Sequence, residues 1–252
     1  VPDLPAITPS HTQFVAERVP RRTDSVATDS SRGDALFAAV RTAHRQLTQH
    51  QFVRTASAAG LALPNYLAYL ADQNLMVTTL HRALSSYQHD PVLGPLVLDA
   101  VINRQGRAAL DAAAVGAHLP PPGAAACRLA AHIGTLADEA AVHSLAVHAW
   151  VQYMAMLNGG DRLRRAFCEQ FGSSRLLRFE PDAATCRAAY AAAFEAATAG
   201  EHDVEAVYIE ARAAFEAHIA MLDDATAAAE SATEATSSPS AQGRAPAGGL
   251  QD

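Results

Sequence analysis

Apolar residues recur along this chain at steps of three and four, and strict alternation of apolar with polar residues is nearly absent. Such a step stacks side chains on one face of an α-helix, whereas a strand needs a step of two. The clearest case is Val147, Trp150, Val151, Met154 and Leu157, one helical face about three turns long. The pattern then meets Asn158, Gly159 and Gly160 before a second helical run from Asp161 to Phe171. Glycine in a helix interior costs roughly 1 kcal/mol against alanine, so the pair needs a reason. Either a helix ends here in a left-handed cap, or the backbone kinks and lies flat against something that leaves no room for a Cβ atom.

The same period and its punctuation lay out the rest of the chain. Asp34 can cap a helix running to about His50, and Pro64 can sit in the first turn of a long helix to about Tyr87, which the Asp90-Pro91 turn ends. Shorter helices follow over 92–103 and 105–117, closed by Pro120, Pro121, Pro122 and Gly123. Then come 124–137, the interrupted pair over 139–171, 182–199, and 202–224 after Gly200. The expected class is all-α, a multi-helical bundle of antiparallel neighbours joined by short loops. Residues 1–33, with Pro2, Pro5, Pro9 and Pro20 among Ser, Thr and Asp, are expected to form a loose arm. Residues 226–252 have almost no large apolar side chain and are expected to be a disordered tail, leaving a helical domain over 34–225.

Composition narrows the function classes. With 252 residues, 50% of them hydrophobic, the chain can bury one substantial core. The formal net charge of -7 opposes a general nucleic-acid binder, which would carry a basic face. Cys127, Cys168 and Cys186 are odd in number and widely spaced, which opposes a disulfide framework or a structural zinc site and suits a reducing compartment. Neither a long apolar run nor a signal-like start is visible, so a cytoplasmic location without membrane contact is expected.

Candidate chemistry begins at His44. Leu36, Val40, His44 and Leu47 share one stripe, so the imidazole points inward. It is either a core histidine bonded to a backbone carbonyl or an axial ligand to heme iron, since neutral imidazole in an apolar pocket serves a heme site. Arg41, one turn earlier, is placed to reach a carboxylate at the pocket edge, as a heme propionate would require.

Two motifs carry a family resemblance. From Leu36 to Leu84, His44 is followed by Phe52, Gly60 and the set Tyr66, Tyr69, Leu70; further on come His148, Ala149, Tyr153, Leu157, Gly159 and Gly160. Together with AFEAHIAMLDD from Ala214 to Asp224, they resemble the proximal, distal and last helices of biliverdin-producing heme oxygenases. The likeness runs from about residue 34 to 224. It implies a bundle with heme between a proximal helix and a kinked distal helix, and His44 as the ligand to the iron. Heme would be both cofactor and substrate, oxidised with O2 and electrons from a ferredoxin or an NADPH-dependent reductase to biliverdin, CO and iron. The resemblance puts Gly159 and Gly160 on the catalytic wall, and Arg41, Tyr153, Ala155, Met156, Arg187 and Phe215 around the heme.

The departures fall on the distal side. The family's Gly-Asp pair aligns with Ala155 and Met156, its distal Arg with Gln152 and its distal Tyr with Val77. Phe37 stands where a basic residue is common, and CRAAYAAAFEAA offers only Arg187 to the propionates. His81, His148 or His218 could supply the missing polarity. Met156 cannot relay a proton, so a non-catalytic or peroxidase-like heme binder or sensor is the alternative. A thiaminase-like enzyme would need an activated cysteine, and the three cysteines have no adjacent base. A di-iron oxidase would need Glu-x-x-His motifs, which the chain lacks; Glu139 with His143 is the nearest pairing.

Overall fold

The computed structural model describes Leu36, residues 38–198 and residues 204–237; the expected N-terminal arm, Phe37 and residues 238–252 lie outside the described residues. Its helices are α1 Arg41–Gln49, α2 Gln51–Ser57, α3 Leu63–Ser85, α4 Asp99–Ile102, α5 Arg107–Ala114, α6 Ala124–Asp138, α7 Val142–Phe171, α8 Ala183–Ala197 and α9 Val204–Ser237, with a 3-10 turn at Gly94–Leu96. The described residues contain no strand, so the fold is all-α as expected. Helix α3 lies centrally, packed on α6 and α9, while α9 also packs on α6 and α7. Among its inward residues Tyr66, Leu70, Met76, Leu80 and Leu84 are almost wholly removed from solvent.

Local chemistry sets the ends of these elements. Pro64 occupies the first turn of α3, where its missing N–H would have had no helical acceptor. Asp90 accepts from the N–H groups of Val92 (2.8 Å) and Leu93 (2.9 Å), which turns the chain after α3. His50 ends α1 and its Nδ1 accepts from Phe52 N–H, so a short α2 forms in the stretch between His50 and Pro64 that the sequence pattern left unassigned. The helices expected over 92–103 and 105–117 are shorter, because Pro91 and Pro95 cannot donate to a ladder and Gly106 turns left-handed at φ 72.

The N-terminus of α6 is held by two carboxylates from other helices. Asp72 on α3 accepts from Gly123 N–H (2.7 Å), and Asp224 on α9 accepts from Ala125 N–H (2.9 Å). They satisfy donors that a helix start leaves open and place negative charge at its positive end. A Cβ on Gly123 would lie 2.8 Å from Asp224 Oδ2 and 3.1 Å from its Cβ, so a side chain there would push Asp224 from its place at the start of α6.

Two sequence expectations change. Helix α7 is one unbroken element of 30 residues, not an interrupted pair, and Gly159 and Gly160 stay within it. The left-handed cap is Gly172, φ 76, whose N–H bonds the Cys168 carbonyl. Burial of Trp150, Val151 and Leu157 before the glycines and of Ala166 and Phe167 after them outweighs the roughly 1 kcal/mol that each glycine costs. Likewise α9 continues past Asp224 to Ser237, so residues 226–237 are helical where a tail was expected. Extending an existing helix needs no nucleation, and the alanine-rich run here has high helix propensity.

Candidate functional site

Helices α1, α2, α3, α7, α8 and α9 line a cavity of about 450 Å³. His44 and Leu47 line it from α1, Tyr69 and Gln73 from α3, and Phe215 and His218 from α9. Helix α7 supplies a long wall that includes Gln152, Ala155, Met156, Gly159 and Gly160. His44 is half-buried, and burial lowers its pKa, which keeps the imidazole neutral near pH 7. The ring of Phe215 meets it edge to face at 6.1 Å. A Cβ built on Gly159 would meet no atom of the chain within 4 Å, and one on Gly160 would only touch Leu177 at 3.7 Å. Neither glycine is demanded by its protein neighbours.

The cavity thus brings together His44, Ala155, Met156, Gly159, Gly160 and Phe215 of the expected set. Three others lie elsewhere. Tyr153 is buried on the flank of α7 turned away from the cavity, its ring against Tyr190 and its hydroxyl 3.5 Å from the Ile102 carbonyl. Arg41 is exposed and off the cavity wall, because Leu36, Val40 and Ala43 take the buried face of that turn. Arg187 is also exposed, but donates to Asn158 Oδ1 (3.3 Å), and Asn158 is on the wall, so Arg187 sits at the rim. The arginine on the wall is Arg162, two residues past the glycines, which the sequence pattern had not singled out.

The polar part of the wall is a buried hydrogen-bonded chain. His218 Nε2 lies 2.7 Å from Gln152 Oε1, and Gln152 Nε2 lies 2.8 Å from Gln73 Oε1 and 3.3 Å from Met156 Sδ. His218 Nδ1, 2.8 Å from the Ala214 carbonyl, must carry a proton. Only a protonated ring donates at both ends; a neutral one needs both glutamine amides turned over, so that Gln152 donates to Nε2. The chain has two opposite directions, and the charge on His218 selects between them. Gln73 occupies the wall that the alignment had assigned to Val77, which is buried in the core one turn further on. Its signal was present as a polar pair, Asp72 and Gln73, inside an otherwise apolar helix.

Burial lowers the His218 pKa to about 4. The unfolded chain then takes up this proton near pH 6.5 and the folded chain only near 4, so stability is full above about 6.5 and is lost as pH falls towards 4. The loss is on the order of 3 kcal/mol. Urea unfolding at pH 7 and pH 4 should show the wild type losing that much more stability than His218→Gln; equal losses would refute the assignment.

The wall also bounds a second polar group. His148 does not face the cavity: its Nε2 bonds Glu210 Oε1 at 2.6 Å. His81 is off the cavity wall too.

Comparisons with known proteins agree on the architecture. The structure is similar to that of heme oxygenase-1 from the cyanobacterium Synechocystis in complex with heme, at a TM-score of 0.72 and 15% identity, covering 82% of this chain and 97% of that one. It is similar also to heme oxygenase from Leptospira interrogans, at a TM-score of 0.68 and 16% identity, covering 77% and 98%. Synechocystis heme oxygenase-2, in complex with heme and NO, matches at a TM-score of 0.71 and 16% identity, covering 82% and 90%. No curated protein matches. The sequence profile of the heme oxygenase family matches residues 33–224, the span that contains α1, the glycines of α7 and the cavity residues of α9, and the chain belongs to the heme oxygenase family.

Proposed function

We propose that the protein holds heme in this cavity with His44 as the ligand to its iron, and cleaves it oxidatively to biliverdin, CO and iron. The observation that carries the proposal is the pairing of a neutral His44 with a glycine-lined stretch of helix across a largely apolar cavity. Gly159 is the telling residue, because the space beyond it would admit a Cβ and the chain itself leaves that space open. A planar apolar ligand uses such a wall for close approach. The residues therefore fit heme, and two of the similar structures hold it.

Bound heme would supply the iron that activates O2 and the ring that is oxidised, with electrons from a ferredoxin or an NADPH-dependent reductase. The chain's own part is to bind, orient and handle protons. His44 offers a neutral nitrogen, and Arg162, with Arg187 at the rim, provides positive charge for the acidic edge. Gln73, Gln152 and His218 are hydrogen-bonded polar groups on the α3, α7 and α9 walls and would orient water there. Met156 favours the second reading, a peroxidase-like or non-catalytic heme binder: its sulfur lies 3.3 Å from the Gln152 side-chain amide and holds no proton to give.

The test is to load the full chain with hemin, add reductase, NADPH and O2, and follow the Soret band and bilin absorbance. Loss of the Soret band with stoichiometric bilin is the expected result. A Soret band that persists or bleaches without bilin establishes the second reading, and bilin formation restored by Met156→Asp would trace the deficit to that side chain.

A further inference from the structure

We propose that His132, His148 and Glu210 form a binding site for one divalent transition-metal ion of the zinc class, outside the heme cavity and one turn of α7 before its Gln152 wall. The three residues come from α6, α7 and α9, and their candidate ligand atoms all lie within 4.8 Å of one another. Both histidines converge through Nε2 on a single carboxylate oxygen, Glu210 Oε1, at 2.8 Å for His132 and 2.6 Å for His148. Two histidines and one glutamate, with a position left for water, are an established donor set for zinc.

Ring geometry gives an independent check. With zinc–nitrogen distances of about 2.1 Å and tetrahedral angles, two bound imidazoles have centroids roughly 5.2 Å apart. The His132 and His148 centroids are 5.3 Å apart and their planes cross at 72°, so the rings need not be moved apart or swung round. A small retreat of Glu210 from its short hydrogen bonds opens the centre. His148 is 2% exposed, and its Nδ1 has no hydrogen-bond partner, so the polar bond of this buried ring points at the cluster. His132 is the opposite: its side chain is 47% exposed and provides the way in from solvent.

The protonation balance is simple. In its neutral form each ring that donates to Glu210 carries its proton on Nε2; when the ion takes Nε2 that proton moves to Nδ1, and the carboxylate exchanges two hydrogen bonds for the cation. For His148 that Nδ1 proton stays inside the protein without a partner, which weakens binding relative to a fully supported site. An ion here would tie α6, α7 and α9 together. His148 is one turn before Gln152, and Glu210 one turn before Ala214, whose carbonyl holds His218, so the tie lies one turn along the same helix faces from the polar chain of the cavity.

Tag-free full-length protein without heme is titrated with Zn2+ against a chromophoric chelator, and with Co2+ for its visible ligand-field bands. One ion per chain is expected, with a melting temperature that rises with zinc concentration. Affinity should fall by at least about 100-fold in His132→Ala and Glu210→Gln, each removing one ligand, and stay unchanged in His44→Ala. The exposed position of His132 makes its variant safe for folding. Absence of saturable binding, or binding undiminished in His132→Ala, would overturn the site and leave an ion pair only. The His44→Ala arm separates this outcome from any failure of the heme reading.

Discussion

His44→Ala is expected to lower hemin affinity by at least about 100-fold, about 2.7 kcal/mol, and to remove the Soret band of the histidine-ligated complex. His44 is the imidazole that α1 contributes to the cavity wall, and the other wall histidine, His218, already spends Nδ1 on the Ala214 carbonyl and faces Gln152 with Nε2. Losing His44 therefore leaves iron without a replacement ligand nearby. The apolar walls remain, so weak hemin uptake should persist, and added imidazole should restore the spectrum by filling the vacated space. The ring is only half-buried, so circular dichroism of the variant should match the wild type. An unchanged Soret band in His44→Ala would remove the basis for the proposed heme site.

Arg104→Ala should cost about 4 kcal/mol of stability, lowering the melting temperature by about 10 °C. Arg104 is fully buried, yet it stays charged at neutral pH because its pKa falls only to about 10. Its Nε donates to the Leu176 carbonyl at 2.8 Å and its Nη2 to the Arg178 carbonyl, while the guanidinium lies 3.8 Å over the ring of Phe179. From the other side of the same loop Asp111 accepts from Ser173 Oγ, Arg175 N–H and Leu176 N–H. The truncation leaves the buried Leu176 carbonyl without its side-chain donor, while the Arg178 carbonyl keeps Arg107, and it opens a void the size of an arginine side chain. Arg104→Lys should recover little, because one ammonium cannot reproduce the planar fork. The same loop carries Leu177 onto the cavity wall, so hemin affinity should drop with stability. A variant that unfolds within about 1 kcal/mol of the wild type would contradict the account.

The parts of the fold that could be read from the chain are those where local signals agree with burial. Pro64 and Asp90 mark the ends of α3, and the Pro120–Gly123 loop marks the start of α6, because each acts through its own backbone or its near neighbours. His44 was legible as inward-facing from the stripe it interrupts. The reading failed where long-range packing decides. Asn158, Gly159 and Gly160 carry the local signature of a helix end, but burial on both sides keeps α7 intact to Gly172. Arg41 and Tyr153 were placed by alignment along a helix, and a rotation of one position is enough to move a side chain off the wall. The Gln73–Gln152–His218 chain joins three helices, and no spacing within any one of them announces it.

Helix α9 has a consequence for the order of events during synthesis. The ribosome releases α1 with His44 first and α7 with its glycines much later, but Phe215, His218 and Leu222 of the wall emerge only with α9. Asp224, which holds the start of α6, also belongs to that last helix. A nascent chain stalled before residue 204 therefore has an imidazole and a glycine wall but an open trough between them, with the apolar lining facing water. Ligand capture has to wait until α9 docks, and a chain lacking it should be recognised by chaperones as unfinished.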